Sequence, residues 1–445
     1  MRKNQLNPVL YLLYYCFKVI VRASQQVFYS KITVVNKELG RFANPCIVIS
    51  NHPSTLLDPL NTALEIKTEV FFLANASLFK YRFTDWLLNQ LYCIPVERDK
   101  DTGGRPLNNV ESFERSTKHL AGGGCLYVAP EGYSYVYRRL QKIRTGTARI
   151  ALAAESRHQF QLGLTILPVG LNYSDPTKFR SSLLTIFGDP VRVADFQKDW
   201  EADEMEAVKK LTLHLREKLR ELTLDTADDE EDRLLGHLEE MLQNERPLAL
   251  PEQLIRSQNL LKSWHEWRTR KPLEFLGFQQ RVFAYFDELK ALKISDNALL
   301  DSGRHWHSWS LTLLFPVFLL GGLTHFLPIF CTKKLSGYLN NDIHWEATYK
   351  YVTGLVFYPL FIGLQIWLIS KLAFVTNTAP WLTWAYVLSI VPAGLVAEQW
   401  LKNLVHRAHN RHLKILVKNN PNAVTNFLEK RAVILRHHAA AINQS

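Results

Sequence analysis

From residue 44 to about 192 the chain alternates short β-rich runs with stretches of helical period. The runs 46–50, 70–74, 93–96, 125–128, 165–171 and 183–187 are dense in β-branched, aromatic and other apolar residues and read as strands. The stretches 60–66, 82–91, 109–120 and 146–155 carry apolar residues at helical spacing. Alternation of this kind predicts an α/β fold, a sheet flanked by helices. Gly188-Asp189-Pro190 marks a turn after the last strand. From 193 to 300 the pattern changes. Leu211, Leu215, Leu219 and Leu222 recur among charged residues and predict a helical region, divided by Pro247, Pro251 and Pro272. No chemistry stands out there, and packing is the role it suggests.

Three apolar segments follow, 311–330, 352–370 and 381–397. A spanning helix needs ~20 predominantly apolar residues, and the last two approach that length. The first contains Pro316, Gly321-Gly322 and Pro328, which predict a bent, re-entrant or interfacial hairpin. Trp306, Trp309, Trp381, Trp384 and Trp400 lie at or near segment edges, where aromatic belts form. A buried soluble core is the alternative; the lengths and edge aromatics favour membrane helices. At the other end, Met1-Arg2-Lys3 and the apolar run 8–17 look superficially like a signal peptide. No small-x-small site follows closely, and Lys18 and Arg22 interrupt what comes next. About ten apolar residues cannot cross ~30 Å of hydrocarbon, so an uncleaved interfacial helix is expected, with core packing as the alternative. The expected divisions are 1–30, 31–195, 196–305, 306–400 and 401–445.

Composition sharpens this picture. The 445 residues are 47% hydrophobic and 12% aromatic, with 11 Trp and a formal net charge of +11. A basic chain points to an anionic partner. No nucleic-acid motif is present, so an anionic membrane or a phosphorylated substrate ranks first. The tail from 401 holds eight Lys and Arg against Glu429 alone, while 228–232 is an acidic run. Cys16, Cys46, Cys93, Cys125 and Cys331 form no CxxC pair and read as small buried hydrophobes; no metal site is expected.

Polar groups gather where the strands end, which is where open α/β sheets build sites. After the first strand comes Ser50-Asn51-His52-Pro53-Ser54-Thr55-Leu56-Leu57-Asp58-Pro59. Asp58 can accept from one ring nitrogen of His52 and leave the other to take a proton. Taken alone, such a pair is more often a structural histidine. Ile94-Pro95-Val96-Glu97-Arg98, Val128-Ala129-Pro130-Glu131-Gly132 and Ile166-Leu167-Pro168-Val169-Gly170 end or fill three other strands. Arg138, Arg139, Lys142 and Arg144 lie nearby. An Arg fork matches phosphate oxygens, though each could equally be a solvated charge or a membrane contact.

Together, in this order, the four blocks resemble the phospholipid/glycerol acyltransferase family over roughly residues 40–195. That family includes lysophosphatidic acid and glycerol-3-phosphate acyltransferases. The resemblance implies an acyltransferase-type sheet and a catalytic pair, His52 and Asp58. Five residues separate them where the family usually has four, a form similar to fungal-type glycerol-3-phosphate/dihydroxyacetone-phosphate acyltransferases. It also implies that Arg98 contacts the acceptor phosphate, and that Asn51, Glu131 and Gly132 shape the acceptor site. Tyr133 and Ser134 replace the Thr-Arg that often follows the Pro-Glu-Gly, so Arg138 or Arg144 is expected to substitute. Pro168 matches the fourth block.

The expected reaction is transfer of an acyl group from acyl-CoA or acyl carrier protein, with no other cofactor, to 1-acylglycerol-3-phosphate. Glycerol-3-phosphate or dihydroxyacetone phosphate is the alternative acceptor. A non-catalytic lipid-binding scaffold has no need of His52, Asp58, Arg98 and Glu131 together. A Ser hydrolase would want a G-x-S-x-G elbow, and none occurs. The partners expected are a phospholipid membrane, the glycerol-phosphate acceptor and the acyl donor, with no nucleic acid. The expected location is the cytoplasmic membrane, with the catalytic domain on its cytoplasmic face.

Overall fold

The computed structural model describes residues 8–98, 103, 105–300, 308–340, 342–375 and 381–443. The N-terminal Met1-Arg2-Lys3, Trp306 and the link 376–380 lie outside the described residues. Two compact units form: residues 1–226 with 340–349, and residues 227–339 with 350–445.

In the first unit the elements run α1 (Pro8–Phe28), β1 (Lys31–Val35), β2 (Cys46–Ser50), α2 (Leu57–Glu65), β3 (Val70–Asn75), α3 (Arg82–Gln90), β4 (Cys93–Val96), α4 (Val110–Ala121), β5 (Cys125–Val128), α5 (Gly146–Ser156), β6 (Thr165–Tyr173), β7 (Ser182–Phe187), β8 (Val191–Arg192), α6 (Gln197–Ala202) and α7 (Glu204–Glu221). The sheet order is β1-β7-β6-β2-β5-β3-β4, with β8 also on β6. The centre of the sheet, β6-β2-β5-β3-β4, is parallel, and β6 pairs antiparallel with β7. Strands β2 and β5 are buried throughout, as their unbroken apolar sequences require of parallel strands covered on both faces. Ile47, Leu126 and Ile166 meet Leu120, Ala148 and Leu152 in one core, which α7 extends with Leu211, Leu215 and Leu219. Each buried Leu or Ile among them contributes about 1.5–3 kcal/mol by leaving water.

Between residues 44 and 192 the predicted strands and helices recur with ends shifted by three residues at most; β1 and β8 were not foreseen. Helix α1 runs well beyond the apolar stretch that announced it. Its second half packs down through Val21, Gln25 and Phe28, and Arg22 donates to the Leu64 carbonyl at 2.7 Å. Val9, Leu12, Leu13 and Phe17 remain exposed. Cys46, Cys93 and Cys125 are buried in strands, but Cys16 is exposed and Cys331 only half-buried, contrary to the expectation for all five.

The second unit continues with α8 (Asp229–Glu245), α9 (Leu250–Arg270), α10 (Pro272–Ala291), α11 (Asp296–Leu299), α12 (Ser308–Leu313), α13 (Phe315–Leu339), α14 (Glu346–Val375, whose first turn belongs to the first unit), α15 (Trp381–Asn419) and α16 (Ala423–Asn443). The acidic run 228–232 is a helix start: Asp228 caps α8 by accepting from the Glu231 N–H at 2.7 Å, and the following acids face the positive end of the helix dipole. Buried Asp296 accepts from Tyr285, Asn244 and Arg431, tying α8, α10, α11 and α16 together.

Helices α13, α14 and α15 are each long and apolar enough to cross a membrane. The hairpin expected within 311–330 is corrected by a continuous 25-residue α13 that passes through Pro328. The small residues that suggested a bend serve as a packing seam instead. A Cβ on Gly321 would stand 2.1 Å from the Ala393 carbonyl oxygen, so only glycine permits α15 this close. Trp400 also packs internally: its ring stacks on Phe318 at 4.0 Å and its N–H donates to the Leu311 carbonyl at 3.0 Å.

Candidate active site

The C-terminal ends of β2, β5 and β6 converge, and the segments leaving them build the site. His52 follows β2 by two residues, and Asp58 sits in the first turn of α2. Nδ1 of His52 lies 2.9 Å from Oδ2 of Asp58, with the His side chain 16% exposed and the Asp fully buried. A carboxylate partner assigns the proton to Nδ1 and leaves Nε2 as the acceptor. Asp58 also accepts from the Ser54 N–H at 2.8 Å and from the Tyr173 hydroxyl at 2.7 Å. Burial, then the negative charge of Asp58, hold the Tyr173 phenol far above its ordinary value, so it remains a donor. Asn61 steadies this phenol by donating to it at 2.7 Å.

The loop between His52 and Asp58 carries one backbone inversion. Thr55 has φ of 48°, in the left-handed region, rare for a β-branched residue and costing of the order of 1–3 kcal/mol. The Thr55 N–H donates to Ser134 Oγ at 3.0 Å. With the loop folded back in this way, His52 and Asp58 meet across five intervening residues.

Glu131 is the second buried acid. Its Oε1 accepts from the His52 N–H at 2.8 Å and its Oε2 from the Gln141 N–H at 2.9 Å. It therefore ties the loop after β5 to the backbone of the candidate base. Burial pushes its carboxyl up to about 7, against the pull of the Gln141 amide and the His52 ring. Gly132 turns the chain at φ 76°, a conformation open to glycine. The Tyr135 N–H donates to the His52 carbonyl at 3.0 Å, closing the two loops on each other.

The remaining predicted residues separate into two groups. Asn51, His52, Glu131 and Arg138 line one open cavity with Arg139, Tyr173, Thr223 and Leu224. Both ends of the Asn51 amide bond the Leu171 backbone, at 2.9 and 2.8 Å, so its side chain pins β2 to β6. Arg98 stands over the Tyr133 ring at 4.7 Å and donates to the Gly132 carbonyl at 3.3 Å. Arg144 is exposed, its stem beside Gly132. Neither Arg98 nor Arg144 lines the cavity. Tyr173, Thr55 and Ser134 escaped the sequence reading. Tyr173 alone left a signal, an aromatic hydroxyl closing a strand that ends at the site.

Residues 31–172 match the acyltransferase family model. Glycerol-3-phosphate O-acyltransferase 1 of Saccharomyces cerevisiae is 24% identical over 297 residues, 60% of this chain and 38% of the relative. Glycerol-3-phosphate O-acyltransferase 2 of the same yeast is 29% identical over 123 residues, 27% of this chain and 16% of the relative. The matches therefore span well under half the length of these relatives. Among solved structures, the 1-acyl-sn-glycerophosphate acyltransferase PlsC of Thermotoga maritima aligns with a TM-score of 0.36 and 19% identity, covering 50% of this chain and 83% of that one.

Proposed function

We propose that this protein transfers a fatty acyl group from an acyl thioester to a hydroxyl of a glycerol-phosphate acceptor at a membrane surface. The observation that carries the reading is His52 held through Nδ1 by Asp58 at 2.9 Å, within the residues that match the acyltransferase family model. Nε2 takes the proton of the acceptor hydroxyl as its oxygen attacks the thioester carbonyl. Asp58 holds the ring and stabilises the imidazolium. The new C–O bond forms, the tetrahedral intermediate collapses with loss of the C–S bond, and the thiolate takes the proton from the imidazolium. An ester and a free thiol result. The Ser54 hydroxyl donates to the Pro176 carbonyl at 3.0 Å, which argues against a serine nucleophile and for direct transfer.

Arg98 and Arg138 are the phosphate-binding side chains in this reading, with Arg144 at their flank, while Glu131 and Gly132 shape the loop that bears on His52. The donor is acyl-CoA or acyl carrier protein. Both yeast relatives are glycerol-3-phosphate O-acyltransferases, which favours glycerol-3-phosphate over 1-acylglycerol-3-phosphate as acceptor. Acyl donors and the basic tail both favour a catalytic domain on the cytoplasmic face. The test is reconstituted protein given labelled acyl-CoA or acyl carrier protein with glycerol-3-phosphate, dihydroxyacetone phosphate or 1-acylglycerol-3-phosphate. An acylated glycerol-phosphate is expected. Acyl transfer to none of them, by a protein that is folded and in the membrane, would reject the reading.

A further inference from the structure

A strained residue inside a catalytic loop needs something to hold it. Thr55, left-handed at φ 48°, sits midway between His52 and Asp58. Its hydroxyl donates to the His344 carbonyl at 2.6 Å. The next N–H, of Leu56, donates to Thr348 Oγ1 at 3.2 Å. These partners belong to residues 340–349, the link between two apolar helices, which form one unit with the catalytic domain although far away in sequence. The same link reaches the other loop. Nδ1 of His344 accepts from the Val136 N–H at 3.2 Å, and the ring meets Tyr135 edge-on at 5.4 Å. Asp342 orders the turn by accepting from the His344 N–H at 3.0 Å.

One short segment thus bonds both loops that carry the site, the one bearing His52 and the one bearing Glu131. Its acceptors answer the Thr55 hydroxyl and the Leu56 and Val136 N–H groups, and the segment itself lies outside residues 31–172. We propose that residues 342–349 are part of the active site, with His344 and Thr348 as positioning residues that keep the His52–Asp58 loop in its left-handed turn. The segment touches no reacting atom. Its effect is on the fraction of molecules in which Nε2 of His52 is aimed at the acceptor. The inference rests on the acyl-transfer reading for its consequence in rate, but the clamping itself can be read without activity.

Four full-length proteins in proteoliposomes test it: wild type, His344→Leu (bulk without the acceptor), His344→Asn (an acceptor near the Nδ1 position) and Thr55→Val (β-branch without the hydroxyl). Hydrogen exchange over 133–137 should rise about ten-fold in His344→Leu and return toward wild type in His344→Asn, and over 51–57 it should rise about ten-fold in Thr55→Val, with the sheet unchanged in all three. Turnover should fall about ten-fold in His344→Leu and Thr55→Val, with both KM values within about two-fold, and recover in His344→Asn. Unchanged exchange in both loops overturns the clamp even if no acceptor is ever acylated. Equal losses in His344→Leu and His344→Asn, or a loss confined to KM, overturn the positioning role while leaving the acyl-transfer reading intact.

Discussion

Replacing Asp58 by Asn removes one charge and keeps the shape, and the surrounding donors dictate how the amide must sit. The carboxylate accepts from His52 and Ser54 on Oδ2 and from Tyr173 on Oδ1. An amide nitrogen facing Ser54 would set donor against donor, so the amide oxygen takes that side and the nitrogen turns to Tyr173. Tyr173 already accepts from Asn61, so its own proton is then left without an acceptor. A buried unsatisfied donor costs about 1–3 kcal/mol of stability. The larger effect is on the imidazolium. Two unit charges ~4 Å apart at an effective dielectric of ~20 attract by about 4 kcal/mol, and losing that attraction lowers the rate by roughly a thousand-fold. Asp58→Asn should therefore remain folded, melt somewhat lower, and lose about three decades of kcat/KM. Initial rates with labelled acyl donor, beside a thermal melt, measure both effects. Activity within ten-fold of wild type would refute the assignment of Asp58 as the partner of the base.

Arg98→Ala should raise the acceptor KM by ten-fold or more at little change in donor KM, with Arg98→Lys recovering part; movement of the donor KM alone would reassign this residue. Burial lifts Glu131 from its ordinary 4.5 to about 7, so the folded chain holds a proton that the unfolded chain releases. This contribution to stability is full below pH 4.5 and is lost as pH rises through 7, about 3 kcal/mol in all, so denaturant midpoints of wild type and Glu131→Gln should diverge over that window in favour of Gln; a flat difference would contradict the shift. For topology, a Cys at Asn340 or Asn419, in a background freed of native cysteines, should be protected from an impermeant thiol reagent added outside. A Cys at Asn377 should react. This placement requires α13 to lie along the bilayer without crossing it; outside labelling at Asn340 would contradict the clamp and make α13 a third span.

Much of the catalytic sheet was legible because parallel strands covered on both faces are short, apolar and separated by helical periods, as Cys46–Ser50 and Cys125–Val128 are. Edge strand β1, Lys31–Val35, is half-exposed and mixed in character, so it announced nothing. His52, Asp58 and Glu131 were legible as candidates through the order of the four blocks, since the His52–Asp58 pair taken alone reads as a structural histidine. Tyr173 was not, since a tyrosine completing a strand looks like any core aromatic until its hydroxyl is found on Asp58. His344 and Thr348 could not be read from sequence at all, because their meaning lies in contacts with loops nearly three hundred positions away. The expected hairpin at Gly321-Gly322 failed for a related reason: small residues permit either a bend or a close helix contact, and only the partner Ala393 decides which.

The central claim is that His52 is the base in acyl transfer, and His52→Ala tests it most directly. The variant should insert into membranes and melt near wild type, yet form acylated glycerol-phosphate at least a hundred-fold more slowly, with labelled donor left unconsumed. A folded His52→Ala protein that transfers acyl groups at a rate near wild type would contradict the account.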